Sequence, residues 1–275
     1  MADMTLYRQL AEGVGEGQSV YIQQIFQALC NDEEAGVLLA ASPPTSAAEI
    51  AEKTGHPESK ILGMLESLFN RGLIFKLRKG EPMKFYRVRS IPQMHDATVL
   101  TPGISREVLD LWKSYMEQEW PKYGQKIMDS VPNSIMRVVA VNEFIEPEAQ
   151  VLPYDDVIKI IDDAKTLSVT KCSCRVIDGK CGMPLEVCMQ VDRAAEYNIE
   201  RGTGRELSKE EARKLLKECE DAGLVHCVDN HRVVGHVICN CCKDCCLNWS
   251  VMKGVTKWVS PSRYRAVVDP DMCSG

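Results

Sequence analysis

The sequence predicts an α+β chain in two structured parts. One is an N-terminal run of helices ending in a β-hairpin; the other is a cysteine-rich α+β domain. Three observations predict it. Apolar residues in the first part recur at helical spacing and then give way to two β-rich runs around a turn. From residue 134 strand-like and helix-like stretches alternate. Nine of the thirteen cysteines fall in two groups, 172–188 and 239–246. The expected boundaries are 1–98 for the N-terminal domain, 99–133 for a helical connector and 134–275 for the cysteine-rich domain.

In the first part, Ile22, Ile25, Phe26 and Leu29 mark a helix from Val20 to Cys30, with Cys30 a buried core thiol at its edge. Ser46-Ala-Ala-Glu49 is a capping box that starts a short helix, Ala47–Thr54, stopped by Gly55. Pro57 suits the first position of another helix, with Ile61, Leu65 and Leu68 on its apolar face and Gly72 closing it. LIFKLRKGEPMKFYRV then supplies two strands around Lys-Gly-Glu-Pro.

Helix, short helix, turn, helix, hairpin is the order of a winged helix–turn–helix, and the resemblance covers about residues 18–90. It implies DNA binding, with the Pro57–Arg71 helix in the major groove and the hairpin on phosphate. Lys60, Arg71, Lys76, Arg78, Lys79, Lys84, Arg87 and Arg89 would supply the charge. Glu58 and Glu66 on that helix would repel phosphate, so a packing unit that forms a homodimer is the competing expectation.

The connector carries one expected amphipathic helix, Ser105–Trp120, ended by Pro121. Beyond it, SIMRVVAV reads as a strand, Tyr154–Lys165 as a helix, and LSVTKC as a strand that delivers Cys172. Pro184 is expected to open a helix through about Asn198 that carries Cys188. Ser208-Lys-Glu-Glu211 is a second capping box, whose helix stops at Gly223, and RVVGHVI is a strand leading into Cys239.

A net charge of −6 argues against broad, non-specific nucleic-acid binding. No apolar run approaches the ~20 residues of a membrane span, and the N-terminus has no basic-then-apolar signal pattern, so a cytoplasmic protein is expected. Thiols there stay reduced, which makes a disulfide framework a poor account of thirteen cysteines.

Thiolates at short spacing suit soft metals and iron–sulfur clusters. The first group, Cys172, Cys174, Cys181 and Cys188, reads C-x-C-x6-C-x6-C, with Arg175 placed to offset cluster charge. The second, Cys239, Cys241, Cys242, Cys245 and Cys246, packs five thiols into eight residues. Nine thiols suffice for one or two 4Fe-4S clusters at four thiolates each, and the spacing does not say which thiols share one. Zinc is the alternative: Cys242 to Cys245 is a C-x2-C knuckle, although C-x-C and doubled cysteines fit zinc less well. Cys219 reads as core and Cys227 as core or cluster surround. His226, His231 and His236 read as structural or surface residues. Neither RGTGRE nor GVGEG is a convincing phosphate loop, and no hydrolase arrangement stands out.

The strings CSCR, CGMPLEVCM, SKEEARKLLKECEDAGLVH, VICNCCKDCC and YRAVVDPDMCSG together resemble a group of anaerobic 4Fe-4S ferredoxin-type proteins with a winged-helix-like N-terminal region. The resemblance implies cluster binding, electron transfer with a redox partner protein and, if catalysis occurs, an oxidoreductase component. Cys273 looks like the first ligand of a bacterial-type ferredoxin motif, C-x-x-C-x-x-C-x3-C-P, whose other ligands are absent. From another class comes the expectation of a metal- or redox-responsive winged-helix transcription regulator; a zinc-stabilised structural protein is the third.

Overall fold

Trp112 and Trp120 lie fully buried at the centre of the N-terminal half, with the ring of His95 set edge-on to both at 5.4 and 5.1 Å. Burying two indoles in one place requires several helices around them. The computed structural model, which describes residues 4–77, 80–141, 156–231, 236–255, 257–260 and 271, supplies eight in this half.

Five precede the hairpin: α1 (Met4–Glu12), α2 (Val20–Leu29), α3 (Asp32–Ala40), α4 (Ala47–Thr54) and α5 (Glu58–Asn70). Strands β1 (Thr45–Ser46), β2 (Ile74–Leu77) and β3 (Lys84–Arg87) form an antiparallel sheet in the order β1-β3-β2. The capping box at Ser46 forms as read, and Gly55 ends α4 in the left-handed region at φ 70°. Cys30 is buried, with its thiol on the Phe26 carbonyl at 3.2 Å, and burial pushes its pKa up to about 12.

Two corrections arise here. Helix α3 was not expected, yet its Asn31–Glu34 capping box was in the sequence. Residues 91–133 hold three helices rather than one: α6 (Ile91–Val99), α7 (Arg106–Gln118) and α8 (Trp120–Ser130). Pro121 ends nothing on its own; it occupies the first turn of α8, where its missing N–H costs no hydrogen bond. All three helices pack into the core around Trp112, whose indole donates to the Thr98 hydroxyl at 3.1 Å.

Glu34 ties α3 to the end of α5. It accepts from both terminal nitrogens of Arg71 and from the Asn31 backbone N–H. Burial raises its pKa, but these donors outweigh it and hold the carboxyl below its usual range. A depressed carboxylate stabilises the fold above its unfolded pKa of about 4.3 and loses that contribution as pH falls through the lower folded value. Glu34→Gln is therefore expected to cost on the order of 1 kcal/mol at neutral pH, after solvent screening, and less at an acidic pH below the folded pKa of Glu34. Urea unfolding at both pH values checks this, and an equal deficit at both would refute it.

The C-terminal half is built on a seven-stranded sheet in the order β10-β4-β8-β9-β6-β5-β7. Its strands are β4 (Met136–Val138), β5 (Leu167–Lys171), β6 (Glu186–Val191), β7 (Gly204–Leu207), β8 (Val225–Asp229), β9 (Val237–Cys241) and β10 (Val259–Ser260). Among these described strands only the β10–β4 pair is parallel. Helices α9 (Val157–Asp163) and α12 (Lys209–Asp221) belong to a core with Val169, Met189, Leu207 and Ile238. The Ser208 capping box opens α12 as expected. Two further helices follow sulfur-bearing segments: α10 (Ser173–Asp178) and α11 (Arg193–Glu200).

The helix expected from Pro184 is a correction. Residues Glu186–Val191 are a strand and Cys188 sits within it; the helix begins only at Arg193. Val187, Met189 and Val191 are buried while Cys188 and Gln190 are half-buried, a period of two that outweighs the proline signal.

The two halves meet at α11. Tyr197 stacks on Phe75 of β2 at 4.6 Å and meets Phe69 of α5 edge-on at 5.4 Å. Arg201 donates to the Asn70 carbonyl at 2.8 Å, and Lys76 pairs with Glu200 at 2.9 Å. Helix α10 packs on α6 and α7, with Ile177 in the N-terminal core. No helix among the described residues is long and apolar enough to cross a membrane.

Candidate metal-thiolate site

Three consecutive neighbours in the sheet bring the two cysteine groups together. Strand β5 ends at Lys171, so Cys172 caps α10 and Cys174 falls in that helix's first turn. Strand β6 carries Cys188, and β9, hydrogen-bonded to β6, carries Cys239 and Cys241. The pairing of Met189 with Ile238 puts Cys188, Cys239 and Cys241 on one face of the sheet. Cys181 lies in the loop after α10, while Cys242 and Cys245 lie in the loop after β9. Cys246 precedes a π-helical turn, Leu247–Val251.

The sulfurs fall into two sets, and each set draws on both sequence groups. Cys172, Cys174, Cys246, Cys241, Cys239 and Cys188 form a row in which each thiol influences the ionisation of a neighbour. N–H groups point at this row. The Leu247 backbone donates to Cys174 at 3.4 Å and the Asn248 backbone to Cys246 at 3.4 Å. The Asn248 side chain reaches Cys241 at 3.9 Å, and the Gln190 side chain reaches Cys188 at 3.2 Å. Donors aimed at sulfur stabilise thiolate and tune a bound metal.

The second set is Cys181, Cys242 and Cys245, whose sulfurs all lie within 4.8 Å of one another. Cys181 to Cys242 is 3.8 Å and Cys242 to Cys245 is 3.6 Å. Burial raises the Cys242 pKa, but the backbone N–H groups of Cys245 and Asp244, the Cys245 thiol and Arg175 together bring it below the usual cysteine value. Burial and then the Cys242 neighbour push Cys245 the other way.

Arg175 joins the two sets. It is 3% exposed, and its two terminal nitrogens donate to the carbonyls of Pro184 at 2.6 Å and Asn240 at 2.9 Å. Its guanidinium also faces Cys242 and feels the charges of Cys172 and Cys181. Asn240, which sequence reading did not single out, fixes β9 from within: its amide donates to the Val187 carbonyl at 2.6 Å and its oxygen meets His226.

The remaining candidates fall as follows. Cys219 is buried core and Cys227 is fully buried, directly across the ladder from Cys239. His226 is buried, and burial lowers its pKa; His231 and His236 are exposed. Cys273, Arg78 and Lys79 lie outside the described residues. A cleft of about 1490 Å³ separates the row of thiols from the winged-helix half, lined by Phe75, Tyr197, Cys172, Cys188, Cys239 and Cys246 among others.

On the winged-helix side, α5 turns Ser59, Lys60, Leu62, Gly63 and Glu66 outward. Several of the cations expected to meet phosphate are engaged within the protein: Lys60 with Glu33, Arg71 with Glu34, and Lys76 with Glu66 and Glu200. Arg89 lies over the Tyr86 ring at 4.3 Å.

Comparison with known families matches residues 30–90 to TrmB, described as a sugar-specific transcriptional regulator. The matched stretch starts at α3 and takes in α4, α5 and the three-stranded sheet, so residues 30–90 are a TrmB-type winged-helix region. No curated protein and no solved structure matches the chain. The chain thus joins a TrmB-type winged-helix region to a cysteine cluster compatible with metal binding.

Proposed function

We propose that this protein is a winged-helix transcription regulator whose DNA binding responds to a metal or cluster held by its cysteines. The observation that carries the reading is the TrmB-type match over the helices and wing that would touch DNA. Two features support it. The docking of Phe69 and Asn70 onto α11 occupies only the C-terminal end of α5, so its N-terminal half faces outward, and Leu62 there is 48% exposed. An exposed apolar side chain suits the thymine methyl in a major groove. The second feature is continuity: α11 follows directly from the strand that holds Cys188, and it grips the wing through Tyr197. The homodimer suggested by sequence would pair two such helices on successive half-sites.

With Lys60 and Lys76 already paired, few phosphate contacts are expected, so affinity should fall only shallowly with salt. The experiment is selection of genomic fragments by the full chain, purified without oxygen, in metal-loaded and metal-free forms. Enrichment of a common sequence that differs between the forms is expected, with Ser59→Glu weakening binding by roughly tenfold, about 1.4 kcal/mol. Absence of enrichment at low salt in both forms would end this reading.

A second reading is favoured by the six-thiol row. Its sulfurs are strung out rather than gathered, and N–H groups are directed at four of them. Such a row suits a 4Fe-4S cluster, which takes four thiolates on four separate irons and would supply one-electron chemistry. In that case Cys174, Cys246, Cys241 and Cys239 are the central candidates, and a redox partner protein would approach the cleft. Iron and acid-labile sulfide in the anaerobic protein, with broad absorption near ~400 nm, would support it; their absence would eliminate it.

A further inference from the structure

We infer that Cys181, Cys242 and Cys245 form a mononuclear site for a zinc-class divalent cation, separate from the six-thiol row. The inference rests on the metal-responsive reading above and deepens it by saying which thiols share one ion.

The first argument is distance. Tetrahedral coordination at a metal–sulfur length of about 2.3 Å sets neighbouring sulfurs about 3.8 Å apart. The triad's two hydrogen-bonded pairs stand at 3.8 and 3.6 Å, and the third pair is inside 4.8 Å. A cubane cluster instead spreads its thiolates over four separate irons. The triad is therefore the right size for one ion. Among the described residues no other set of three or more metal-ligating side chains is gathered this closely.

The second argument is charge. Three thiolates around a divalent cation leave a single net negative charge, and a half-buried site needs that charge answered. Arg175 answers it. Its buried guanidinium faces Cys242 and interacts with the charge of Cys181. Its hydrogen bonds to Pro184 and Asn240 fix it beside the loop of Cys181 and the strand that leads to Cys242.

The third argument is local geometry. Cys242-Lys-Asp-Cys245 is a two-residue-spaced knuckle whose two sulfurs stand 3.6 Å apart. Binding releases a proton from each thiol that is still protonated, leaving three thiolates on the ion. An exogenous ligand such as water completes the tetrahedron, as at zinc sites with three protein ligands.

The test uses the full chain, reduced and without oxygen, titrated with cobalt(II) as a spectroscopic stand-in for zinc. One equivalent is expected to give the intense visible bands of tetrahedral thiolate coordination. Cys181→Ser and Cys245→Ser should each lose more than half of that intensity, while Cys174→Ser keeps it. Retention of the bands in both triad variants would overturn the inference, as would equal loss in Cys174→Ser. Zinc-edge X-ray absorption of the unaltered zinc-loaded chain needs no variant. A sulfur shell at about 2.3 Å with no short metal–metal distance supports the site, and a metal neighbour overturns it. Neither readout involves DNA, so failure of the regulator reading leaves this result standing, and the reverse.

Discussion

Replacing Arg175 with methionine is expected to destabilise the protein by about 3 kcal/mol, with a larger deficit in the metal-loaded form than in the metal-free form. Two hydrogen bonds from a charged group are lost, each worth roughly 1.5–3 kcal/mol, and the carbonyls of Pro184 and Asn240 are left buried without those donors. Methionine recovers part of this by filling the space with apolar atoms. The difference between forms follows from charge. With metal bound, all the neighbouring sulfurs are thiolates and the guanidinium is their counter-ion; without metal fewer of them carry charge and they need it less. Arg175→Lys keeps the charge but not the two-pronged reach to separate carbonyls, so an intermediate loss is expected. Urea unfolding of both forms checks the prediction, and an identical deficit in the two would show that Arg175 braces backbone alone.

Tyr197→Ala is expected to cost about 3 kcal/mol and to split a single unfolding transition into two. The ring is the main apolar contact from α11 to the wing, and its stacked and edge-on partners, Phe75 and Phe69, belong to β2 and α5. Removing a large aromatic side chain costs about 3–5 kcal/mol when fully buried, and Tyr197 at the cleft edge falls at the lower end. In a double-mutant cycle with Phe75→Ala, a coupling of roughly 1 kcal/mol is expected for the stacked pair. If the proposed regulation is correct, Tyr197→Ala should also make DNA affinity independent of metal loading. An unchanged midpoint with one transition would mean that the Arg201 and Lys76 contacts and the packing of α10 on α6 and α7 suffice to join the halves.

Local signals in the sequence identified much of this fold. Both serine capping boxes, the α2 stripe and the Ile74–Arg87 hairpin follow from rules that act within a few residues. Helix α3 escaped because Ala35, Val37 and Leu38 are buried without a polar face between them, which leaves no amphipathic period to read. Its Asn31–Glu34 box was the available signal. The strand at Cys188 was hidden by Pro184, whose preference for helix starts was followed instead of the Val-Cys-Met-Gln-Val alternation. For the candidate site, the nine thiols could be named from spacing, but not their partition. Cys181 meets Cys242 across 61 residues, and Cys174 meets Cys246 across a similar span, through the order of strands in a sheet. That order is set by long-range pairing, which no local pattern encodes.

The placement of sulfur on strands and on loops divides the labour of assembly. Cys188, Cys239 and Cys241 are carried by backbone already locked in an antiparallel ladder, so that half of the row is in position when the sheet folds, whatever the supply of inorganic partners. Cys181, Cys242 and Cys245 hang from connecting segments that can yield without breaking a ladder bond. An ion at the triad can then be loaded or surrendered on an architecture that stays closed, which would let one chain keep a permanent inorganic core and a replaceable one side by side.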